Sequence, residues 1–490
     1  MKIFKIFANQ YFWLSLILIF GFLVRLYKID SPLADWHSWR QADTAAVTRN
    51  FIKEGFNPFI PKYDDMSSVS QNPIPNPGRF RFVEFPIYNI AVYPLYLIFG
   101  ISENYHRLVS VLFSTASIVF LYLIAKKYTN IITAYMAAFT FAFLPFNVFF
   151  SRTTLPEPTF VFFALGMVYF VDRWIWESRV IWVIWGMIFT ALAFLIKPWA
   201  IFFFLPLLYS IYKKGDKNFF FKKFIPFTIL GLLPFALWRL WILQQPEGIP
   251  SSVWLFNSDG IRFRPAFFWW IISERLGREI LGVSGAFLFF LGLITKPKSG
   301  NYFLHFWFLS HIFFITVFAT GNVRHDYYQV ILLPVLAIFL AIGLGTLFKS
   351  SGSFIPRIWT IPLCLLFFLL TFYFGWKEVK GLYQINNYPI VEAGKFADRI
   401  LPKDAYVLAP YNGDTAFLYQ TNRPGWALVP TSISELIADY GVTHYISTAR
   451  DARTAWVLRH FYVLEENPQF IIADLTRLKK IFDEEKDKEP

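Results

Sequence analysis

The sequence has too little charge and too little cysteine for most soluble or secreted proteins. Only 16% of its 490 residues are charged, against about 25% in an average soluble domain. Its one cysteine, Cys364, lies in an apolar run, so a single chain can form no disulfide framework and no cysteine-based metal site. The sequence also lacks a Walker A loop and a glycine-rich dinucleotide fingerprint, which leaves a nucleotide-driven reaction without support.

The formal net charge of +13 is not concentrated in a long basic tract. The lysines and arginines lie between apolar runs, which is typical of loops that stay on the cytoplasmic side of a membrane. We therefore expect the basic loops to contact a lipid bilayer and not a nucleic acid.

Apolar residues dominate the chain: 56% are hydrophobic, 21% are aromatic, and the mean hydropathy is +0.44. Because about 20 mostly apolar residues cross a bilayer, the sequence predicts about eleven transmembrane helices in an all-α polytopic membrane protein. The predicted spans are 11–29, 107–125, 131–150, 158–173, 180–196, 198–212, 224–243, 280–295, 302–320, 327–348 and 357–376. Residues 11–27 are expected to remain as a helix, because no small-residue cleavage site follows them.

The apolar run 87–101 is short, follows Pro86 and is interrupted by Pro94. If it does not cross the membrane, the later basic loops fall on the same side as Lys2 and Lys5, as the positive-inside rule requires. We therefore expect this run to lie in the outer interface. The outer side then holds the loop 30–86, the turns 151–158 and 321–326, and the loop 244–279.

The composition changes after the last apolar run. Residues 377–490 alternate helix-like and short strand-like stretches, which predicts a small extracytoplasmic α/β domain after a transmembrane domain at 1–376. The expected helices are 391–401 and 433–440, and the expected strands are 405–409, 443–447 and 470–474.

The first outer loop, 30–86, is the strongest candidate for chemistry. Asp35, His37, Arg40 and Asp43 fall within nine residues of one another. Asp43 alone is equally well explained as the N-cap of a helix that starts at Thr44. An N-cap, however, needs no histidine, arginine and second acid beside it, whereas an active site does.

Further polar residues lie at the same predicted depth. Glu84 follows Arg81 by three residues, and Glu157 begins a span, where capping of the helix end is the simpler explanation. A lysine or acid within a span is costly and usually functional, which adds Lys197. The remaining candidates lie in or beside these segments: Gln41, Arg324, His325 and Tyr328.

This combination of groups fits transfer from a phosphate leaving group. A carboxylate can act as general base toward a hydroxyl, and arginine or lysine can hold a phosphate. No compact metal-ligand spacing is present and no metal site is assigned, although Asp35, His37 and Asp43 could bind a divalent ion. No cofactor is therefore predicted, and a divalent metal stays an open alternative.

The same residues resemble the bacterial family 39 glycosyltransferases, relatives of the protein O-mannosyltransferases and of the aminoarabinose transferases that modify lipid A. The stretches that carry the resemblance are HSWRQADTA at 37–45, RNF at 49–51, EFPIY at 84–88, LPE at 155–157 and HDYY at 325–328. It covers roughly residues 10–348 and is most specific in the first loop.

The resemblance implies a GT-C membrane fold in a bacterial inner membrane. It also implies a polyprenyl-phosphate sugar donor, an extracytoplasmic active site, and inverting hexosyl or pentosyl transfer to a lipid, glycan or protein hydroxyl. The better-known relatives carry an Asp-Glu pair where this sequence has Arg40 and Gln41. The aminoarabinose transferases carry a phosphate-binding lysine where it has Phe85.

We therefore expect Asp43 to be the base, with Asp35 and Glu84 as alternatives. Substrate-binding roles fall to His37, Arg40, Gln41, Arg81, Glu157, Lys197, Arg324, His325 and Tyr328. Two other functions remain open. A lipid-linked oligosaccharide polymerase or ligase would place its main outer loop late in the chain, and a transporter would show mid-span charges and an internal repeat.

Overall fold

The computed structural model describes residues 10–71, 74–349 and 356–479. The chain divides into two compact units. The first, called the helical unit below, comprises the described parts of Met1–Ile29, Arg107–Leu240 and Ser252–Leu382. The second, the sheet unit, comprises those of Asp30–His106, Trp241–Ser251 and Tyr383–Pro490.

Long apolar helices make up the helical unit. Five are long and apolar enough to cross a bilayer: Glu103–Tyr128, Glu157–Glu177, Lys217–Ile242, Asp326–Lys349 and Ile358–Tyr383. The bent pair Pro265–Ile280 and Ser284–Ile294 gives a sixth span if the two count as one. Shorter apolar helices are Tyr11–Val24, Ile131–Phe143, Val180–Ile196 and Phe303–Val317. The predicted polytopic, mainly helical membrane fold is confirmed, and each of the eleven predicted spans overlaps one of these helices or the helix Phe204–Lys214.

Two predicted spans are broken in the structure. The span 131–150 divides into Ile131–Phe143 and Pro145–Phe150, because Pro145 has no N–H to continue the helix and holds Leu144 out of helical geometry (φ −57°, ψ 120°). The span 280–295 begins only at Ser284, after a bend of 113°. Gly282 and Val283, with φ of 57° and 59°, make that bend, and a side chain at 282 would lie 2.3 Å from the Thr371 carbonyl oxygen.

A five-stranded sheet organises the other unit. Its strands are β1 (Val407–Leu408), β2 (Gly425–Trp426), β3 (His444–Ser447), β4 (Phe461–Glu466) and β5 (Ile471–Leu478). They lie in the order β2-β1-β3-β5-β4, with β1 parallel to β2 and β3, and β5 antiparallel to β3 and β4. The helices are Ser38–Glu54, Ile87–Phe99, Pro389–Ile400, Ala416–Thr421, Ile433–Tyr440 and Ala452–His460. The small α/β region predicted at the C-terminal end is thereby confirmed.

The first outer loop belongs to the same compact unit as the C-terminal sheet. Ala45 and Phe51 of the helix Ser38–Glu54 share one buried apolar cluster with Ile390 and Phe417. Residues 241–251 join this unit, where the Phe82 amide donates to the Gly248 carbonyl at 2.9 Å. That these loops share one side of the membrane stays a prediction, and residues 252–279 belong to the helical unit. The boundary at 376/377 stays a prediction.

The helix Ile87–Phe99 spans about 20 Å at 1.5 Å per residue, less than a bilayer core of about 30 Å. The interfacial position of this helix stays a prediction. Lys2 and Lys5, which anchored the predicted orientation, lie outside the described residues.

Candidate active site

The helix Ser38–Glu54, called the first-loop helix below, carries the predicted cluster. It begins after His37, whose backbone is left-handed (φ 55°, ψ 38°). The prediction that Asp43 is the N-cap is wrong, since Asp43 lies inside the helix. Periodicity missed the first turns because Arg40, Gln41 and Asp43 are buried there despite being polar.

Asp43 is the most buried of the predicted acids in the sheet unit, ahead of Asp35 and Glu84. Its Oδ2 accepts from Arg81 NH2 at 2.6 Å, and its Oδ1 accepts from Thr415 Oγ1 at 2.6 Å. Burial raises the pKa of Asp43, while the Arg81 charge and the Thr415 hydrogen bond lower it in part. A carboxylate held this way can take a proton near neutral pH more readily than an exposed aspartate can.

A second buried ion pair lies on the same helix. Arg40 NH2 donates to both carboxylate oxygens of Glu84, at 2.6 and 2.7 Å. Arg40 is three residues from Asp43 in the sequence, and Arg81 is three residues from Glu84. The ion pairs nevertheless join Arg81 to Asp43 and Arg40 to Glu84. Spacing along the chain suggested neighbours three residues apart, but the loop 60–86 folds back and exchanges the partners.

The other first-loop candidates lie around the start of this helix. Gln41 Nε2 donates to Asp35 Oδ1 at 2.7 Å and to the Trp36 carbonyl at 2.9 Å. The His37 ring lies edge-on to Trp36, with centroids 5.2 Å apart. Asp35 is thus held by the side-chain amide of Gln41.

The helical unit contains its own buried pair. Lys197 Nζ lies 2.8 Å from Glu157 Oε1, and both side chains are almost fully buried. Lys197 also lies 4.5 Å from the centroid of Trp199, which packs at 4.4 Å against Tyr328. Glu157 is the first residue of its helix, where its charge favours the positive helix end, and its ion pair with Lys197 was not predicted from the sequence.

The turn at 324–328 follows the short helix Ala319–Arg324. The guanidinium of Arg324 lies 5.5 Å from the Trp254 ring, and its side chain is exposed. His325 stacks on Tyr327 with centroids 5.2 Å apart, and Asp326 lies 3.5 Å from Arg275. Of the four cations expected to hold phosphate, Arg40, Arg81 and Lys197 each pair with a carboxylate, and only Arg324 has no such partner within the described ranges.

Arg25 is a basic residue within the first predicted span, and it is fully buried. Arg25, at the outer end of the first span, donates to the carbonyls of Gly21 and Ala142 at 2.6 Å each. It is therefore a structural residue of the helical unit and carries no information on orientation.

Groups of three His, Cys, Asp or Glu side chains that could hold one ion are not found in the described part of the chain. Asp35, His37 and Asp43 accordingly do not form such a group. These three residues therefore do not form a ligand set for the divalent ion that the sequence left as an alternative.

Sequence reasoning missed the C-terminal contribution to the site. Thr415 reaches Asp43, and Asp414 Oδ2 accepts from Ser38 Oγ at 2.7 Å, across more than 370 residues. No local pattern reveals such a contact. Asp65 was also missed, although its burial raises its pKa to about 6. The acidic pair Asp64 and Asp65 after Tyr63 is a local signal that would have drawn attention to it.

Comparison with known proteins places this geometry in a known fold. Residues 86–241 match the family model described as dolichyl-phosphate-mannose-protein mannosyltransferase. The structure of ArnT from Cupriavidus metallidurans bound to undecaprenyl phosphate is similar over 94% of this chain and 98% of that chain, with TM-score 0.66 and 13% identity. The chain has the GT-C fold.

Other solved GT-C structures are similar as well. The oligosaccharyltransferase AglB from Archaeoglobus fulgidus, in complex with an inhibitory peptide and a dolichol-phosphate, matches with TM-score 0.55 and 12% identity, over 94% of this chain and 74% of that chain. The arabinofuranosyltransferase AftD from Mycobacteria matches with TM-score 0.58 and 12% identity, over 94% and 41%. A comparison with curated proteins gave no significant match.

Proposed function

We propose that this GT-C protein is a glycosyltransferase that moves a sugar from a polyprenyl-phosphate donor to a hydroxyl acceptor on the extracytoplasmic side of a bacterial inner membrane. The observation that carries the proposal is the fold likeness to ArnT bound to undecaprenyl phosphate, which extends over nearly the whole of both chains. The family match over residues 86–241 and the likeness to AglB with dolichol-phosphate support the same donor class.

The proposed reaction is a single displacement with inversion. The acceptor hydroxyl oxygen forms a bond to the anomeric carbon while the bond from that carbon to the donor phosphate oxygen breaks. The hydroxyl proton passes to the carboxylate of Asp43, and the electron pair leaves with the lipid phosphate. Arginine or lysine side chains stabilise the charge that grows on the phosphate. Asp35 and Glu84 remain alternative bases, and the acceptor is a lipid, glycan or protein.

Membrane vesicles supplied with a radiolabelled polyprenyl-phosphate sugar test the proposal. We expect label to pass from the lipid extract into an acceptor fraction, with a hexosyl or a pentosyl donor, in vesicles that contain the protein and not in vesicles that lack it. Label that stays on the lipid with both donor classes would refute the proposed function.

The proposed orientation has its own test. The test introduces one cysteine at a time, Lys403→Cys or Lys217→Cys, in a Cys364→Ser background. Lys403 is exposed in the sheet unit, and Lys217 is exposed in the basic segment of the helical unit. We expect an impermeant maleimide added outside intact cells to label position 403 only, because basic loops stay inside. Permeabilised cells should show both positions labelled. Labelling of both in intact cells would contradict the orientation.

The hydrogen bond from Thr415 predicts a pH effect. Thr415→Val removes a bond that lowers the pKa of Asp43, so that pKa rises further. A base works only when ionised, and we therefore expect the acid limb of the kcat profile to move to higher pH. Thr421→Val is the matched control, since the Thr421 hydroxyl donates to the Leu418 carbonyl instead. An unmoved acid limb in Thr415→Val would argue against Asp43 as the base.

Arg324 is our first candidate for holding the donor phosphate, because its charge is not already paired with a carboxylate within the described ranges. We expect Arg324→Ala to raise the KM for donor about 10-fold or more, the cost of one lost charge-assisted bond. Arg264→Ala is the control: Arg264 is also exposed in the helical unit and donates to the Asp259 carbonyl. If the two variants have the same KM for donor, Arg324 does not bind the donor phosphate.

A further inference from the structure

A cavity of about 420 Å³ opens among the helix ends of the helical unit, away from the residues discussed so far. It lies where Glu103–Tyr128, Ser284–Ile294 and Asp326–Lys349 end, and where Ile131–Phe143 and Phe303–Val317 begin. Its volume falls within the range of about 300–1,000 Å³ that is usual for small-molecule pockets. We call it the lysine cavity.

The charge around this cavity has one sign. Lys296, Lys298 and Lys349 line it, and among the described lining residues none is an aspartate or a glutamate. Other cations of the same unit do have acidic partners, as Lys127 has Asp172. The three lysine side chains are exposed at the cavity and give its described lining a net positive charge, which attracts an anion.

The polar groups beside the lysines suit a phosphate. Lys298 Nζ donates to the Thr129 carbonyl at 2.9 Å, which positions one ammonium that still has two further N–H groups to offer. His305 Nε2 lies 3.0 Å from the Leu293 carbonyl, while its buried Nδ1 has no hydrogen-bond partner in the described part of the chain. The cavity thus contains one positioned ammonium group with N–H donors left for a phosphate.

The cavity wall is rigid. Gly292 and Gly343 bring two helices into backbone contact, since a side chain at 343 would lie 1.8 Å from the Leu288 carbonyl oxygen. Gly345 lines the cavity nearby, and a side chain there would meet only Thr133 Oγ1, at 3.9 Å. A pocket with such walls is preformed, and position 345 offers a way to fill it.

We infer that the lysine cavity binds the phosphate of an anionic phospholipid headgroup. It lies at the ends of apolar membrane helices, among the basic loops, where the acidic lipids of the inner leaflet present their phosphates. Basic pockets between helix ends bind such headgroups in general. The inference does not depend on the proposed sugar transfer.

Binding of phosphatidylglycerol to the purified full chain, measured by native mass spectrometry against phosphatidylcholine, tests the inference. We expect selective binding of phosphatidylglycerol, weakened about 10-fold or more in Lys296→Gln/Lys349→Gln, since each lysine near a lipid phosphate contributes about 1 kcal/mol. Gly345→Leu, which keeps every charge and fills the cavity, should weaken it as well. The control Lys213→Gln/Lys222→Gln removes two exposed lysines outside the cavity and should leave it unchanged.

A second arm uses inorganic phosphate and follows the thermal midpoint. A rise in midpoint that is lost in the cavity variants, without lipid selectivity, would assign the same phosphate site to a soluble ligand. Equal weakening by the cavity pair and the control pair would overturn the inference, because it would mean diffuse surface charge. So would binding of phosphatidylglycerol and inorganic phosphate that none of the cavity variants changes.

Discussion

Asp43→Asn is expected to lower turnover about 10²–10⁴-fold, the usual contribution of a general base. Asparagine has nearly the same shape, and its amide oxygen can still accept from Thr415. It cannot accept the acceptor's proton. The measurement is sugar transfer per mole of folded protein, with donor saturating.

The variant also damages the fold, because it leaves the buried Arg81 guanidinium without its carboxylate. Losing one partner of a buried pair costs about 3–5 kcal/mol. Asp64→Asn provides the matched control: Asp64 is equally buried, belongs to the same unit and pairs with the buried Arg49. We expect similar losses of thermal stability in the two variants, but a loss of turnover only in Asp43→Asn.

The other amides locate the base if this assignment fails. Near-normal turnover in Asp43→Asn, together with a dead Glu84→Gln or Asp35→Asn, would move the base to that residue. Activity in all three would exclude general-base catalysis by these acids.

Arg40→Ala is expected to destabilise the protein by about 3–5 kcal/mol, since it removes the buried partner of an ion pair whose other member, Glu84, is only 11% exposed. The thermal midpoint in detergent measures this loss. Adding Glu84→Gln removes the orphaned charge, and the double variant should regain most of the stability. Failure of the second change to restore the midpoint would contradict the ion-pair explanation.

The same double variant separates structure from donor binding. If Arg40 also contacts the donor phosphate, the KM of the double variant for donor will stay about 10-fold or more above that of the unchanged protein. If its role is only to hold Glu84, donor kinetics will recover together with stability. The prediction that Arg40 binds donor is retained only in the first case.

Local signals in the sequence predicted most of the elements. The expected helix at 433–440 agrees with Ile433–Tyr440, and the expected strand at 443–447 agrees with His444–Ser447. Both are short segments whose apolar pattern reports directly on the face that they bury. The strand β2 was missed because Gly425 and Trp426 are too few residues to show any period.

The site was predicted less completely than the elements. The sequence alone brought attention to Asp43, Arg40, Arg81 and Glu84, because charged residues beside long apolar runs are costly without a function. Which of these charges pair with one another depends on how the loop 60–86 folds back, and only the tertiary structure decided it.

What the sequence by itself determined is the class of protein: apolar length and charge placement require helices in a bilayer, and both are local, additive properties of the chain. Only the tertiary structure decided that Thr415 contacts Asp43, and that lysines from two separate segments line one cavity. Such contacts depend on which distant segments pack together. That choice is made by shape and by the need to satisfy buried polar groups, neither of which has a period along the sequence.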